Sequence, residues 1–527
     1  MFLIMSAAYV GQELESEFGK IPPSFLPLGN RRLFQYQIAL APEGVEVLLS
    51  IPKHFCISTI DESWLEQRNV TILRTPEKLD LGASLVAALN ISGKSLDNPL
   101  HILYGDTLYR SLPEGDDIAS VSAAKGSYSW AALTADHTSW LKKIDSSQED
   151  QQNIIDGYFK FSNPRRLINN IIQSEWDYIS GLNLYHNDIG LTAVRSNGWL
   201  DFGHVNNYYN SKAEFTTQRA FNELKITSKW VEKSSIKNEK IAAEANWFAK
   251  IPCSLRGYTP QFLGKQKSDN SISYRLEYLH LTALNELFVF SRLPTHILNQ
   301  ILSSCIEFLC LCKKNKSELE DSGNSLEELF HVKTDQRLNE YCAENNITLD
   351  DVWKFNGTKS VTLRKILDDS LKNLPINDEP QSVIHGDFCF SNILYDFRAN
   401  KIKTIDPRGI TNSGDITIYG DIRYDVSKLS HSILGLYDWI IAGYYSVEVS
   451  DYNIEFYIAE DGVHKDTQHA FINMVENAFQ LSAKNLYAMQ IQLFLSMLPL
   501  HSDDKSRQKA LFANSFRLHE ILMRLEQ

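Results

Sequence analysis

The sequence predicts an α/β fold arranged as two successive domains, and three observations carry that expectation. Apolar, strand-like runs end on an acidic residue in both halves of the chain, at Leu100–Asp106 and at Lys401–Asp406. Stretches of helical periodicity, such as Asn238–Phe248 and His280–Cys312, stand between these runs. The length of 527 residues, 43% of them hydrophobic, supplies enough apolar material for two cores.

The first half opens on Met1-Phe2-Leu3-Ile4-Met5-Ser6-Ala7-Ala8, which is too short to span a bilayer and lacks a basic leader and a small-residue processing site. It reads as a buried first strand. Leu100–Leu108 is a further strand ending in Gly105-Asp106, and Trp199-Leu200-Asp201-Phe202-Gly203 sets a second acid in a similar turn. Two carboxylates delivered by separate strand ends suit Mg2+, which prefers a few carboxylate oxygens together with phosphate and water. Strand ends are also where open α/β sheets bind ligands. Asp106 and Asp201 are therefore the metal and catalytic candidates of this half, although Gly-Asp after a strand is also an ordinary turn. The polar stretch Ser211–Lys225 marks the join and suits a helical connection, giving domains at 1–217 and 218–527.

In the second half Trp230-Val231-Glu232-Lys233-Ser234 is strand-like, and Asn238–Phe248 alternates at helical spacing. His280–Cys312 is long, apolar and periodic, broken by Pro294, and suits packed core helices. The polar run Lys313–Asn324 reads as an exposed loop. Val383-Ile384-His385-Gly386-Asp387 and Ser391-Asn392-Ile393-Leu394 place a short loop between two strands, and Asp406 follows the next strand. Gly420–Leu429 reads as a helix start with a capping aspartate.

His-Gly-Asp alone can be a tight turn in which the aspartate bonds its own backbone. The ordered set of His-Gly-Asp, a following Asn and a later apolar-Asp has a chemical reading instead. Phosphoryl transfer needs a carboxylate near the acceptor hydroxyl and oxygen ligands for Mg2+. Asp387 would be that carboxylate, and Asn392 and Asp406 the metal ligands.

These residues resemble the aminoglycoside phosphotransferase and choline kinase family, which has the bilobal protein-kinase-like α+β fold. The resemblance implies an N-lobe over about 218–279 and a C-lobe over about 280–527. It implies that Lys233 binds the ATP phosphates, with Glu244, or else Glu239, as its partner. Tyr274–Leu279 resembles the hinge, with Glu277 and Leu279 at the adenine, and Asp421 and Asp425 are placed to buttress the catalytic loop. Asp406-Pro407-Arg408-Gly409 departs from the Asp-Phe-Gly of protein kinases.

Residues 1 to about 215 resemble the sugar-nucleotide pyrophosphorylases and small-molecule nucleotidyltransferases, whose fold is a Rossmann-like α/β/α layer. The likeness lies in Ile21–Leu28, in Leu81-Gly82-Ala83-Ser84-Leu85 as a nucleotide-contacting turn with Gly82 and Ser84, in Tyr104–Asp106 and in Trp199–Gly203. Tyr178–Asn183 resembles the strand lining the acceptor pocket. The departures are specific. Ala7–Glu15 is neither Gly-rich nor basic, unlike loops that cradle phosphates through backbone amides. Pro22-Pro23 stands where the family has Pro-Lys, leaving Lys20, Arg31 or Arg32 as substitute phosphate ligands.

A formal net charge of −13 argues against nucleic acid as partner, since that binding relies on clustered Lys and Arg. Of the seven cysteines, Cys305, Cys310 and Cys312 lie in one apolar run and read as buried thiols of a reducing, cytoplasmic compartment, without a zinc spacing. Trp247, Trp353 and Trp439 read as core residues. The expected ligands are Mg2+, ATP, a second NTP with CTP among the candidates, and a small hydroxyl compound. No membrane span is expected, and an oligomer is compatible with the sequence. The combined expectation is a bifunctional enzyme that phosphorylates a sugar, polyol or amino alcohol and joins the product to a nucleotide for surface polysaccharide synthesis. The fusion alone links the two steps, which is association and not mechanism. The alternatives are a kinase regulated by an inactive nucleotide-sugar-binding domain, or a scaffold with both sites inactive.

Overall fold

The computed structural model describes the chain except for residues 124–129, 135–139, 145–152, 220–223, 228, 236–237, 268–270, 319–325, 358, 376–378, 412 and 459–461. The chain forms two compact units, Met1–Thr216 with Phe290–Arg292, and Thr217–Val289 with Leu293–Gln527.

The first unit is built on a mixed sheet whose main strand order is Thr192–Arg195, Ile118–Ala123, Asn153–Phe161, Leu100–Tyr104, Phe2–Met5, Val47–Pro52 and Thr71–Thr75. The last four of these run parallel, with Phe2–Met5 between Val47–Pro52 and Leu100–Tyr104. Side chains alternate between faces along a strand. Leu3 and Met5 pack into one core cluster with Leu48, Leu73, Leu85 and Ile102, while Phe2 and Ile4 are equally buried on the other face. Burial of both faces is what a parallel sheet requires, and it accounts for the continuous apolar run at the start of the chain.

Two sequence expectations change here. Tyr178–Asn183 is not a strand but the start of the helix Tyr178–Asp188. Its buried residues Tyr178, Gly181, Leu182 and Tyr185 fall at i, i+3, i+4 and i+7, and the Asp177 carboxylate caps the helix by accepting from Ser180 N at 2.7 Å. Leu81–Leu85 is not a turn before a helix but the first part of the helix Leu81–Ser92.

The second unit opens with an antiparallel sheet in the order Leu224–Ile226, Trp230–Ser234, Ile272–Glu277, Phe262–Lys267, against which the helix Asn238–Lys250 packs. A helical part follows. Its central helix, Thr295–Lys314, is long and apolar enough to cross a membrane, yet Cys305, Phe308, Leu309 and Cys312 are fully buried within the unit. Lys313 and Lys314 belong to this helix and not to a loop, and residues 319–325 of the expected loop lie outside the described residues. A four-stranded sheet of Lys359–Thr362, Val352–Phe355, Asn453–Ile458 and Tyr445–Ser450 lies among these helices.

Candidate functional site

In the second unit the strand Ile393–Asp396 pairs antiparallel with Lys401–Thr404. The hairpin sets the segment His385–Asn392 beside the segment that follows it. Ile405 N donates to Asn392 O at 2.9 Å, and Arg408 N donates to His385 O at 2.8 Å. His385 is fully buried, with Nε2 at 2.9 Å from Ile405 O and Nδ1 at 3.3 Å from Asp387 N. A neutral ring protonated at Nε2 satisfies both partners, and burial holds its pKa down at about 4. His385 thus ties the two segments together without a charge.

Asp425, fully buried in the helix Ile422–Ile433, accepts from His385 N at 2.6 Å and Gly386 N at 2.8 Å, one bond to each carboxylate oxygen. Among the described residues Asp421 does not bond to this loop; it caps the same helix through Arg423 N and holds the Arg423 guanidinium. Asp425→Asn puts an amide NH2 where a backbone N–H donates. It is expected to cost about 1–3 kcal/mol of stability and to lower turnover, readable by thermal unfolding beside a rate measurement.

Asp387 is held by Lys428, whose Nζ lies 2.8 Å from Oδ1, and by the Asn392 amide, which donates to Oδ2 at 3.0 Å and to the Asp387 carbonyl at 2.9 Å. Burial opposes ionisation of Asp387, but the neighbouring Lys428 ammonium outweighs it and brings the pKa down to about 2. Since the Asn392 NH2 is spent on Asp387, its Oδ1 is the atom left for a metal.

Lys233 stands opposite Tyr274 in the sheet. Its ammonium lies 2.9 Å from Glu244 Oε2 and 3.1 Å from Asp406 Oδ1. Burial works against this charge, but Asp406 and Glu244 outweigh it and raise the pKa above that of an ordinary lysine. Glu244 is 1% exposed and also accepts from Tyr274 OH at 2.7 Å. Of the two candidate partners, Glu244 is therefore the one in contact with Lys233. Removing the lysine strands a buried carboxylate, so Lys233→Met is expected to destabilise the unit by about 3 kcal/mol or more, as measured by the unfolding midpoint.

A cavity of about 800 Å3 is lined by Glu244, Gly386, Asp387, Asn392, Asp406 and Arg408 among others. Gly409 explains why the segment after Asp406 keeps its glycine. Its φ is +62°, and a Cβ there would lie 2.4 Å from the Ala243 carbonyl oxygen, on the helix that carries Glu244. Gly409→Ala is expected to destabilise by about 1–3 kcal/mol and to loosen the Asp406–Lys233 pair, measurable as a lower unfolding midpoint.

Glu277 ends its strand, with N donating to Gln261 O at 2.9 Å and the carboxylate accepting from Gln261 N at 3.2 Å. Its side chain lines a second hollow with Phe262 and Lys403, not the Asp387 cavity. Leu279 follows it and is half-buried.

In the first unit the short strands Thr107–Leu108 and Leu200–Asp201 pair antiparallel, with Thr107 opposite Asp201. This brings Asp106 and Asp201 together around Gly203. A Cβ at residue 203 would sit 2.6 Å from Asp106 Oδ2 and 3.3 Å from Asp201 Oδ1. Asp201 is fixed by Gly203 N at 2.9 Å and by the Asn207 amide. Burial, followed by the charge of Asp201, pushes the Asp106 carboxyl up to about 6. Two adjoining carboxylates, one of them raised by burial and by the other's charge, fit a divalent cation between them.

The substitute phosphate ligands fare differently. Arg32 is 6% exposed, bound to Asp61 at 3.3 Å and to Phe25 O at 2.8 Å, and is committed to the interior. Lys20 is exposed, with Nζ 4.3 Å from the Tyr9 ring centroid, and Arg31 is exposed. Gly82 is packed against the Trp176 carbonyl, which a Cβ would approach to 2.3 Å, and Ser84 is buried.

Lys428 is a site residue that motif reading did not single out, and His385, quoted within the motif, was given no role of its own. Lys428 was within reach of it: Asp425 and Lys428 are three residues apart and share a helix face.

No family model matches the chain, and no curated protein matches it. Among solved structures, an aminoglycoside-3'-phosphotransferase of type VIII is similar at 13% identity and a TM-score of 0.32, covering 55% of this chain and 99% of that one. An inositol-1-phosphate CTP transferase from T. maritima is similar at 14% identity and a TM-score of 0.30, covering 41% and 95%. A glucosamine kinase in complex with glucosamine, ADP and inorganic phosphate is similar at 10% identity and a TM-score of 0.30, covering 57% and 75%. Scores of this size do not establish a common fold, and the chemistry rests on the geometry of the two units.

Proposed function

We propose that the second unit is an ATP-dependent kinase for a small hydroxyl compound and that the first is a nucleotidyltransferase which couples the phosphorylated product to an NTP. The observation that carries this reading is that Glu244 and Asp406, both paired with Lys233, line one cavity together with Asp387 and Asn392. Lys233 binds the ATP phosphates in a position set by Glu244, and the Leu279 backbone meets the purine edge. Asp387 orients the acceptor hydroxyl. With a pKa of about 2 it is a weak base at neutral pH, so the proton moves to it late, as the acceptor oxygen bonds to phosphorus and becomes acidic. The bond to the bridging oxygen breaks and ADP leaves. Asn392 and Asp406 would hold Mg2+, which supplies charge neutralisation along the phosphates when bound.

In the first unit Asp106 and Asp201 would hold the second Mg2+. The phosphate of the phosphorylated compound displaces pyrophosphate from an NTP, CTP being one candidate, and a nucleotide-activated precursor results. Surface polysaccharide assembly in the cytoplasm is the proposed setting. A second reading, a kinase governed by a nucleotide-sugar-binding first unit, is favoured by the Ala7–Glu15 segment and by the commitment of Arg32 to Asp61.

ADP release from ATP with a pool of sugars, polyols and amino alcohols tests the kinase. Acceptor-dependent release that disappears in Lys233→Met supports it, and release indifferent to that substitution contradicts it.

A further inference from the structure

We infer that Arg292, a residue the first unit receives from the later part of the chain, binds the outer phosphates of the NTP there together with Lys20. This inference rests on the nucleotidyltransferase reading of that unit. It starts from Phe290–Arg292, three residues far in sequence from the rest of the first unit that nevertheless belong to it. Their anchoring is specific. Arg292 N donates to Phe18 O at 2.8 Å, and a Cβ on Gly19 would lie 2.5 Å from the Arg292 carbonyl oxygen. Gly19 also has a φ of +76°, so residue 19 must be glycine both for its backbone and for this close approach. Arg32 donates Nη1 to Phe290 O at 2.6 Å, and its guanidinium lies 5.1 Å from the Phe290 ring centroid. Arg32, itself committed to the interior, thus fastens a segment that carries an exposed arginine.

The Arg292 side chain is exposed but held. Its guanidinium lies over the Phe55 ring, 4.7 Å from the centroid, and donates from Nη2 to the Cys56 carbonyl. Phe55 meets the Tyr9 ring edge-on at 6.4 Å, and Lys20 Nζ lies 4.3 Å from the Tyr9 ring centroid. Two cations therefore flank one pair of rings. Tyr9 follows the strand Phe2–Met5, Phe55 follows Val47–Pro52 and Asp106 follows Leu100–Tyr104; these strands are parallel, so all three residues stand at the carboxyl edge where open α/β sheets bind ligands. Ser24 ties this region to the Asp106 turn, with N donating to Ser6 Oγ at 3.0 Å and Oγ donating to Gly105 O at 3.2 Å. Lys20 is four residues from Ser24, a span of at most about 14 Å, so one extended ligand can meet both ends.

The carboxylates close by already have partners, Glu77 in the Tyr9 hydroxyl at 3.3 Å and Asp61 in Arg32. Among the described residues neither Lys20 nor Arg292 has a carboxylate within ion-pair distance. A Gly-rich turn would hold phosphates through its backbone amides. Ala7–Glu15 contains only Gly11, and Val10 N is spent on Ile21 O at 3.0 Å. Side-chain cations are what this edge offers instead. The planar Arg292 fork, fixed on Phe55 and keeping Nε and Nη1 uncommitted among the described residues, is pre-organised for phosphate oxygens.

The test measures binding of CTP, UTP, GTP and dTTP, of the matching monophosphates and of inorganic tripolyphosphate to the full chain, by calorimetry with Mg2+. The proteins are the wild type, Arg292→Gln, Arg292→Lys and Asp106→Asn. The component lost in Asp106→Asn marks the first unit and separates it from binding at the Asp387 cavity. The expected result is an NTP whose Asp106-dependent Kd rises about 10- to 100-fold in Arg292→Gln, the range set by a hydrogen bond to a charged group, and recovers in Arg292→Lys, while its monophosphate is little affected. Arg292→Met, which keeps an apolar stem over Phe55, takes the place of Arg292→Gln if the latter does not fold. An unchanged Kd for the NTP overturns the inference. So does an equal loss for the monophosphate, because Arg292 then serves the nucleoside or the fold. Absence of any Asp106-dependent NTP binding would sink the nucleotidyltransferase reading. The anion site then stands if tripolyphosphate binds the wild type and is lost in Arg292→Gln, and falls otherwise.

Discussion

Asp387→Asn is expected to lower phosphoryl transfer by about 10²- to 10⁴-fold, the usual share of a positioned proton acceptor, while ATP binding and folding persist. The variant keeps an oxygen for Lys428 but cannot take the acceptor's proton, and it weakens the pull that orients the hydroxyl. The variant is expected to fold with a cost of about 1–3 kcal/mol, because Lys428, the more buried partner, keeps the Asn oxygen but loses its counter-charge. The check is kcat for acceptor-dependent ADP release beside the affinity for an ATP analogue and the unfolding midpoint. A fall in kcat of less than tenfold, with affinity unchanged, would remove Asp387 from the chemistry.

The second large effect belongs to Asp106. Asp106→Asn is expected to reduce NTP turnover by roughly 10²-fold or more, the several kcal/mol of charge stabilisation that a catalytic metal provides, and to leave the kinase reaction intact. It is also expected to stabilise the metal-free protein. The sign follows from the raised carboxyl. Its pKa of about 6 lies above the unfolded value of 3.8, so between these values the folded state holds a proton that the unfolded state has lost. Stability from this group is present at low pH and falls as pH rises through that window. Asn carries no charge and escapes the loss. In the presence of chelator the variant should therefore unfold later than the wild type at pH 7, by about 1–3 kcal/mol, with the difference vanishing below pH 4. Equal stability at both pH values would show that the Asp106 carboxyl is not raised in the folded protein.

The second unit was legible where its chemistry is local. His385, Gly386, Asp387 and Asn392 share one loop, and Asp406 is one hairpin away, so order along the chain already implies proximity. Lys233 and Glu244 are separated by a strand-to-helix step, and the helical spacing of Asn238–Lys250 left two glutamates in play. The contact between Lys233 and Glu244 depends on strand pairing that no spacing rule supplies. Arg32 was unreadable for the same reason. Its partners, Asp61 and the Phe25 carbonyl, meet only in the folded unit. Tyr178–Asn183 failed through reliance on a short motif where the i, i+3, i+4, i+7 pattern of buried residues argued for a helix. The hairpin Tyr445–Ser450 with Asn453–Ile458 escaped notice because its two turn residues, Asp451 and Tyr452, both adopt positive φ without the Asn-Gly that usually signals such a turn.

The claim that the two units catalyse consecutive reactions is tested most directly by mass spectrometry of the products formed from Mg2+, the four common NTPs and a pool of neutral, cationic and anionic hydroxyl compounds. The wild type is compared with Asp387→Asn and Asp106→Asn. The account expects a phosphorylated compound that requires Asp387 and its nucleotide conjugate that requires both aspartates, so that Asp106→Asn accumulates the phosphorylated intermediate. Phosphorylation without any conjugate or pyrophosphate, from any NTP and in every protein, would contradict it and leave the first unit as a binding domain.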